Sequence, residues 1–174
     1  MATLASRLAD VVGAIRDKFN AIAPRLVATG GTAGQLLRKA SSTANDFAWA
    51  DQFAALAFVI DGGGAAITTG LKGYIEVPAD CTIQAATLLA DQSGSVVVDV
   101  WRCTYAQFAP GSRPVASDKI TASAPPTISS AAKSQDATLT GWTKTLSKGD
   151  VLAFNVNSAS TVQRVTLSLR VLRT

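Results

Sequence analysis

Histidine is absent from this 174-residue chain, glutamate occurs once, at Glu76, and charged residues of both signs make up only 16%. Each shortage excludes something. Without histidine there is no Ser-His or Cys-His nucleophile pair and no His-containing metal site, and the commonest general base is gone. A single glutamate leaves paired-carboxylate chemistry to scattered aspartates, so enzymatic turnover is not expected, and neither is a cofactor. Charge well below the roughly 25% of ordinary soluble proteins leaves a surface that Ser and Thr must coat or neighbouring subunits must cover. Cysteine is scarce too. Cys81 and Cys103 lie 22 residues apart with no CxxC pair, which excludes zinc and thioredoxin-type arrangements. They read as half-buried thiols, with a disulfide as the alternative. The longest apolar run, Phe53 to Ile60, is too short to cross a membrane. The first 25 residues interleave Arg and Asp with apolar positions instead of building a secretory signal. Synthesis in a cytoplasm without membrane insertion is the expectation.

What is present is apolar material: 48% of the residues, enough for a core in a chain of 17.9 kDa. The net charge of +4 is unevenly placed, with six basic groups against three acidic ones in residues 1–50 and ten against nine thereafter. There is no basic strip, so nucleic acid is not an expected partner. Asp99, Asp118, Asp136 and Asp150 lack the Asp-x-Asp-x-Asp spacing of a calcium loop and read as turn formers; no metal site is expected.

Three segments follow from the patterning: 1–27, 28–52 and 53–174. In the first, Leu4, Leu8, Val11, Ile15 and Ile22 recur at helical spacing over residues 3 to about 23. In heptad terms they occupy d, a, d, a and a, with Lys18 at an intervening d and Phe19 beside it. Leu at a with β-branched Val at d leans towards a three-stranded coil, so these five residues are the candidate oligomerisation set of a homotrimer. Packing on the body of its own chain is the rival use of the same stripe. Pro24 marks the expected helix end.

The second segment is punctuated by Gly30, Gly31 and Gly34, then by Ser41-Ser42-Thr43-Ala44-Asn45-Asp46, with a short strand-like piece from Gln35 to Lys39. No GxxxxGK[ST] spacing supports a phosphate loop. The run Gly30-Gly31-Thr32-Ala33-Gly34-Gln35-Leu36-Leu37-Arg38-Lys39, followed by Asp46-Phe47-Ala48-Trp49, resembles the GGTxGQ-type linker of bacteriophage tail and head fibre proteins. Lys72-Gly73-Tyr74-Ile75-Glu76-Val77-Pro78 and Ser95-Val96-Val97-Val98-Asp99-Val100-Trp101 are also similar, more loosely, to β-rich fibre tips. The resemblance implies a structural virion component, anchored to other virion proteins through its N-terminal segment and displaying a β tip for host attachment. A protein that decorates and cements the capsid is the alternative.

The third segment reads as β throughout. Val165, Leu167, Leu169 and Val171 alternate with Thr166, Ser168 and Arg170; Leu152, Phe154 and Val156 repeat the pattern, as do Val96, Val98 and Val100 after the expected turn Gln92-Ser93-Gly94. Further strands are expected at 54–60, 65–69, 73–77, 82–90, 118–122 and 136–145. Many short strands without a helical period predict an antiparallel β-sandwich or jelly roll, behind an N-terminal coiled-coil-like helix and a Gly-rich linker. Pro110 to Pro126 is expected to be an exposed loop. With Val100 inward, Trp101 would face outward near Tyr105 and Arg113. These three are the candidate ligand residues, two rings to stack on a host-surface glycan and one guanidinium to grip an anionic group.

Overall fold

A computed structural model describes residues 3–26 and 30–174, apart from the side chains of 23–26. The chain divides into two compact units, residues 1–52 and 53–174. The expected boundary at 27–28 lies outside the described residues.

The first unit opens with α1 (Leu4–Leu26). Thr3 starts it, its hydroxyl accepting from the backbone N–H of Ser6 at 3.2 Å, as an N-cap does. The helix runs past Pro24, where the sequence suggested it would stop. Proline's fixed φ suits a helix, and so close to the end the missing N–H forfeits only one bond. After it come two short strands, β1 (Leu36–Lys39) and β2 (Phe47–Ala50), paired antiparallel. The Ser-Ser-Thr-Ala-Asn-Asp stretch is therefore the turn of a hairpin, with Asn45 in the left-handed region.

The second unit is a single seven-stranded antiparallel sheet. Its strands are β3 (Phe53–Asp61), β4 (Gly70–Glu76), β5 (Cys81–Thr104), β6 (Thr127–Asp136), β7 (Thr145–Leu146), β8 (Asp150–Ser160) and β9 (Arg164–Arg173). The order is β3-β9-β5-β8-β4, with β6 and β7 also pairing β5. Two expected strands, 82–90 and 96–100, are one. Gln92-Ser93-Gly94 is no turn but the middle of the 24-residue β5. From Cys81 to Ala90 this strand pairs with β9, and from Ser95 to Thr104 with β8. The stretch 150–173 thus lies antiparallel beside β5 along its whole length, broken only at 161–163, where Thr161 has positive φ.

That long ribbon curls, and its halves face each other. Phe58 of β3 stacks on Phe154 of β8, ring centroids 4.5 Å apart and planes nearly parallel, although β9 and β5 separate these strands within the sheet. Gly73 of β4 lies against the same Phe58 ring, so closely that a Cβ there would come within 2.6 Å of Cζ. Alternation holds as expected on β9, where Val165, Leu167, Leu169 and Val171 are buried. On β8 it fails, because Val151 and Ala153 are buried along with Leu152 and Phe154. This strand is covered on both faces.

Four other expectations are corrected. Residues 65–69 are loop, and the strand there is β4. Residues 137–144 connect β6 to β7 without strand structure, and 118–122 passes from a 3-10 turn (Ala116–Asp118) into further turns. The segment Pro110–Pro126 is not simply exposed: Pro114, Ile120, Thr121 and Pro126 are buried. The Ile120 N–H bonds to the carbonyl of Val100 at 2.9 Å, and Trp142 Nε1 donates to the carbonyl of Ala124 at 2.9 Å.

Two substitutions test the curl. Phe154→Ala should cost about 3–5 kcal/mol by emptying the space beside Phe58. Gly73→Ala should cost about 1–3 kcal/mol by overpacking the same ring. Chemical denaturation of the whole chain reads both. A Gly73→Ala chain as stable as the native one would mean that Phe58 is free to move aside.

Candidate functional site

The linker motif assembles a small clasp. Gly31 packs under the indole of Trp49, where a Cβ would come within 2.5 Å of the ring. Gln35 accepts from the Thr32 N–H at 3.1 Å and donates to Asp51 at 2.8 Å, while the Gln52 amide donates to the carbonyl of Gly34 at 2.7 Å. Lys39 donates to the carbonyl of Thr43 at 2.6 Å and lies 5.8 Å from the centre of the Phe47 ring. The Gly-Gly, Gly-Gln, Lys and Trp of the motif are therefore parts of one hairpin.

On α1 the candidate residues Leu4, Leu8, Val11, Ile15 and Ile22 are all exposed, from 50% at Ile22 to 85% at Leu4. Val12 and Phe19, not among the candidates, are exposed to the same degree. With them Leu8, Val12, Ile15, Phe19 and Ile22 form an unbroken stripe with a 4, 3, 4, 3 spacing that avoids Lys18. The signal was in the sequence; following the seam through Lys18 obscured it.

The three candidate ligand residues are not brought together. Trp101 does face away from the buried Val100, but it is only half exposed, and its indole N–H is buried without a hydrogen-bond partner among the described residues. Asp99, on the same face, is buried and accepts a short hydrogen bond from the Thr121 hydroxyl. Arg113 lies 5.8 Å from the ring centre of Tyr74 and 5.9 Å from that of Phe108, and these two rings meet edge-on at 4.8 Å. Tyr105 stands 72% exposed. The reason lies in the loop after β5, which folds over the outer face of β4 and β8. There Tyr74 and Trp101 flank Ala153 in register.

That fold-over leaves a polar groove of about 440 Å³ beside the end of β5. A first 3-10 turn (Tyr105–Gln107) forms one wall, with Thr104 and Gln107 capping each other reciprocally. The spacing Thr-x-x-Gln is the sequence signature of such a cap, and it was the signal available. The second 3-10 turn contributes Ser117 and Asp118, and Lys119, Ile120, Thr143, Ser147 and Asp150 complete the lining with Arg102 and Cys103. Arg102 donates to the carbonyl of Thr145 at 3.0 Å and approaches the buried Asp150 at 3.4 Å. Of the four aspartates weighed from the sequence, Asp118, Asp136 and Asp150 each accept backbone N–H groups at turns. Asp118 and Asp150 share this groove.

Both cysteines are free. Burial pushes the Cys103 thiol up, with Asp118 and Asp150 adding to the effect. Burial does the same to Cys81, aided by Asp80 and Asp150. A raised value means less thiolate at any given pH, hence a weaker nucleophile. Iodoacetamide should therefore modify Cys103 more slowly than a free thiol at pH 8, with the rate still climbing above the ordinary thiol range. Cys81 should react only on unfolding. Peptide mapping after timed alkylation distinguishes the two, and Cys103 labelling as fast as that of free cysteine would contradict this account.

No protein-family model matches the chain, and no curated protein matches it. Among solved structures, a serine protease of Aeromonas sobria is similar over 71% of this chain at 10% identity and a TM-score of 0.30. The chain spans about 27% of that protein's length. A likeness this slight carries no implication for fold or activity.

Proposed function

We propose that the chain is a structural fibre subunit of a bacteriophage particle, a homotrimer anchored to other virion proteins through residues 1–52. Its β body is displayed for host attachment. The observation that carries this reading is the apolar stripe on α1. Seven large hydrophobic side chains stand at least half exposed on one helix, and a helix of this length is marginal in water unless that stripe is covered. Copies of the same helix cover it with a matching repeat. The hairpin clasp around Gly31 and Trp49 supports the linker resemblance, since the residues that carry the likeness are those that build the unit. Within this reading the curled sheet serves as a jelly-roll-type tip, its two halves meeting at Phe58 and Phe154. The role is binding and assembly rather than turnover: the groove beside β5 is lined by carboxylates, cations and hydroxyls, and the sequence has no histidine to serve as general base.

Light scattering of the full chain at micromolar concentration should give the mass of three chains. Leu8→Asp should dissociate it, since losing one buried leucine costs about 2–5 kcal/mol per helix, while the thermal unfolding of the β body stays unchanged. A monomeric native chain would overturn the reading. Electron micrographs of particles carrying a label on this protein should show the β body projecting from the surface. Labels lying flat on the head lattice would favour the capsid-decorating alternative.

A further inference from the structure

Gln107, Asp118 and Arg102 are each tied to the protein by hydrogen bonds yet keep bonding capacity unused, and all three line one groove. Gln107 commits its carbonyl oxygen to Thr104, accepting from N at 2.9 Å and from Oγ1 at 3.0 Å, and its NH2 group has no partner among the described residues. Asp118 accepts from the Val115 N–H through one oxygen at 2.9 Å and keeps the other. Arg102 uses one terminal nitrogen on Thr145 and Asp150, and its remaining N–H groups have no partner among the described residues. Beside them the Lys119 ammonium and the Thr143 hydroxyl have no hydrogen-bond partner among the described residues. Groups held in place with bonds to spare are preorganised for a ligand, because little ordering entropy is left to lose on binding.

The composition of the lining selects the ligand. Two cations face two carboxylates, so a phosphate gains no net attraction. No aromatic ring lines the groove, so a nucleobase has nothing to stack on. The walls are too polar for an acyl chain or an apolar peptide. A ligand of closely spaced hydroxyls fits, since each hydroxyl donates one hydrogen bond and accepts two. One member of a vicinal diol donates to the open oxygen of Asp118, while its neighbour accepts from Lys119 or the Gln107 amide. We propose that this groove binds uncharged sugar units of a surface polysaccharide. The inference rests on the attachment reading above and deepens it, moving the ligand from the Trp101–Arg113 face to the groove. Several copies on one particle convert weak single-site binding into avidity.

The test applies the full chain to an array of purified bacterial surface polysaccharides, with phosphate-bearing teichoic acids as a separate arm. Two variants on different loops accompany it. Asp118→Asn keeps an oxygen for the Val115 N–H but replaces the open acceptor with a donor. Thr143→Val keeps the shape and removes the hydroxyl. The native chain should bind uncharged polysaccharide, and each variant should lower apparent affinity at least tenfold with unchanged thermal unfolding. Native affinity retained in both variants overturns the groove and leaves the attachment reading standing. Binding confined to teichoic acids overturns the uncharged class. Binding to none of the polysaccharides overturns the inference outright, while the fibre reading is judged separately by chain mass and particle labelling.

Discussion

The long antiparallel pairing of β5 with residues 150–173 is the constraint from which the rest of the β unit follows. A 24-residue strand drawn straight would reach roughly 80 Å, while a body of this size has a radius of gyration of about 14 Å. The ribbon must therefore bend. Register shifts between Ile83 and Ala85, and between Val97 and Val98, supply local twist. The break at 161–163 and the close approach at Gly94, where a Cβ would press on Ser160 and Thr161, mark the middle of the bend. Once bent, the ribbon brings β3 over β8, and the apolar faces of both halves share one core around Phe58 and Phe154.

The bend also explains the loop that follows β5. The outer face of β8 carries Val151 and Ala153, both apolar and both needing cover. Residues 105–126 supply it, with Phe108 set edge-on to Tyr74 and Thr121 bonded to Asp99. A loop that must return to β6 after covering that face leaves a trough along the strand it departs from. Its two 3-10 turns point their capping side chains, Gln107 and Asp118, into that trough. The groove is thus a by-product of packing, built from groups whose first duty is to hold the turns.

The N-terminal unit is governed by local rules. Its helix is started by one threonine, and its hairpin is closed by a glycine that admits a tryptophan ring. What the unit does not supply is cover for the α1 stripe, which a single copy of the helix leaves facing water.

Short-range pattern was enough to read α1, the alternation of β9 and the strand at β3, because each depends on residues within a few positions of one another; residues 28–52 read only as an extended linker with one strand-like piece, and the pairing of β1 with β2 that makes them a hairpin was not legible. It was enough, too, to place Val100 inward and Trp101 on the opposite face. Tertiary structure decided the remainder. Gln92-Ser93-Gly94 has turn chemistry, yet the ladders that flank it in the chain, Cys81–Ala90 with β9 and Ser95–Thr104 with β8, hold it extended against local preference. Val151 and Ala153 break the expected alternation because a distant loop covers them. Trp101, Tyr105 and Arg113, close in sequence, part company because Arg113 is drawn to the rings of Tyr74 and Phe108. Asp118 and Thr143, 25 positions apart, meet in one groove instead. Periodicity reports which way a side chain points; only the closing of the sheet on itself determines what stands opposite.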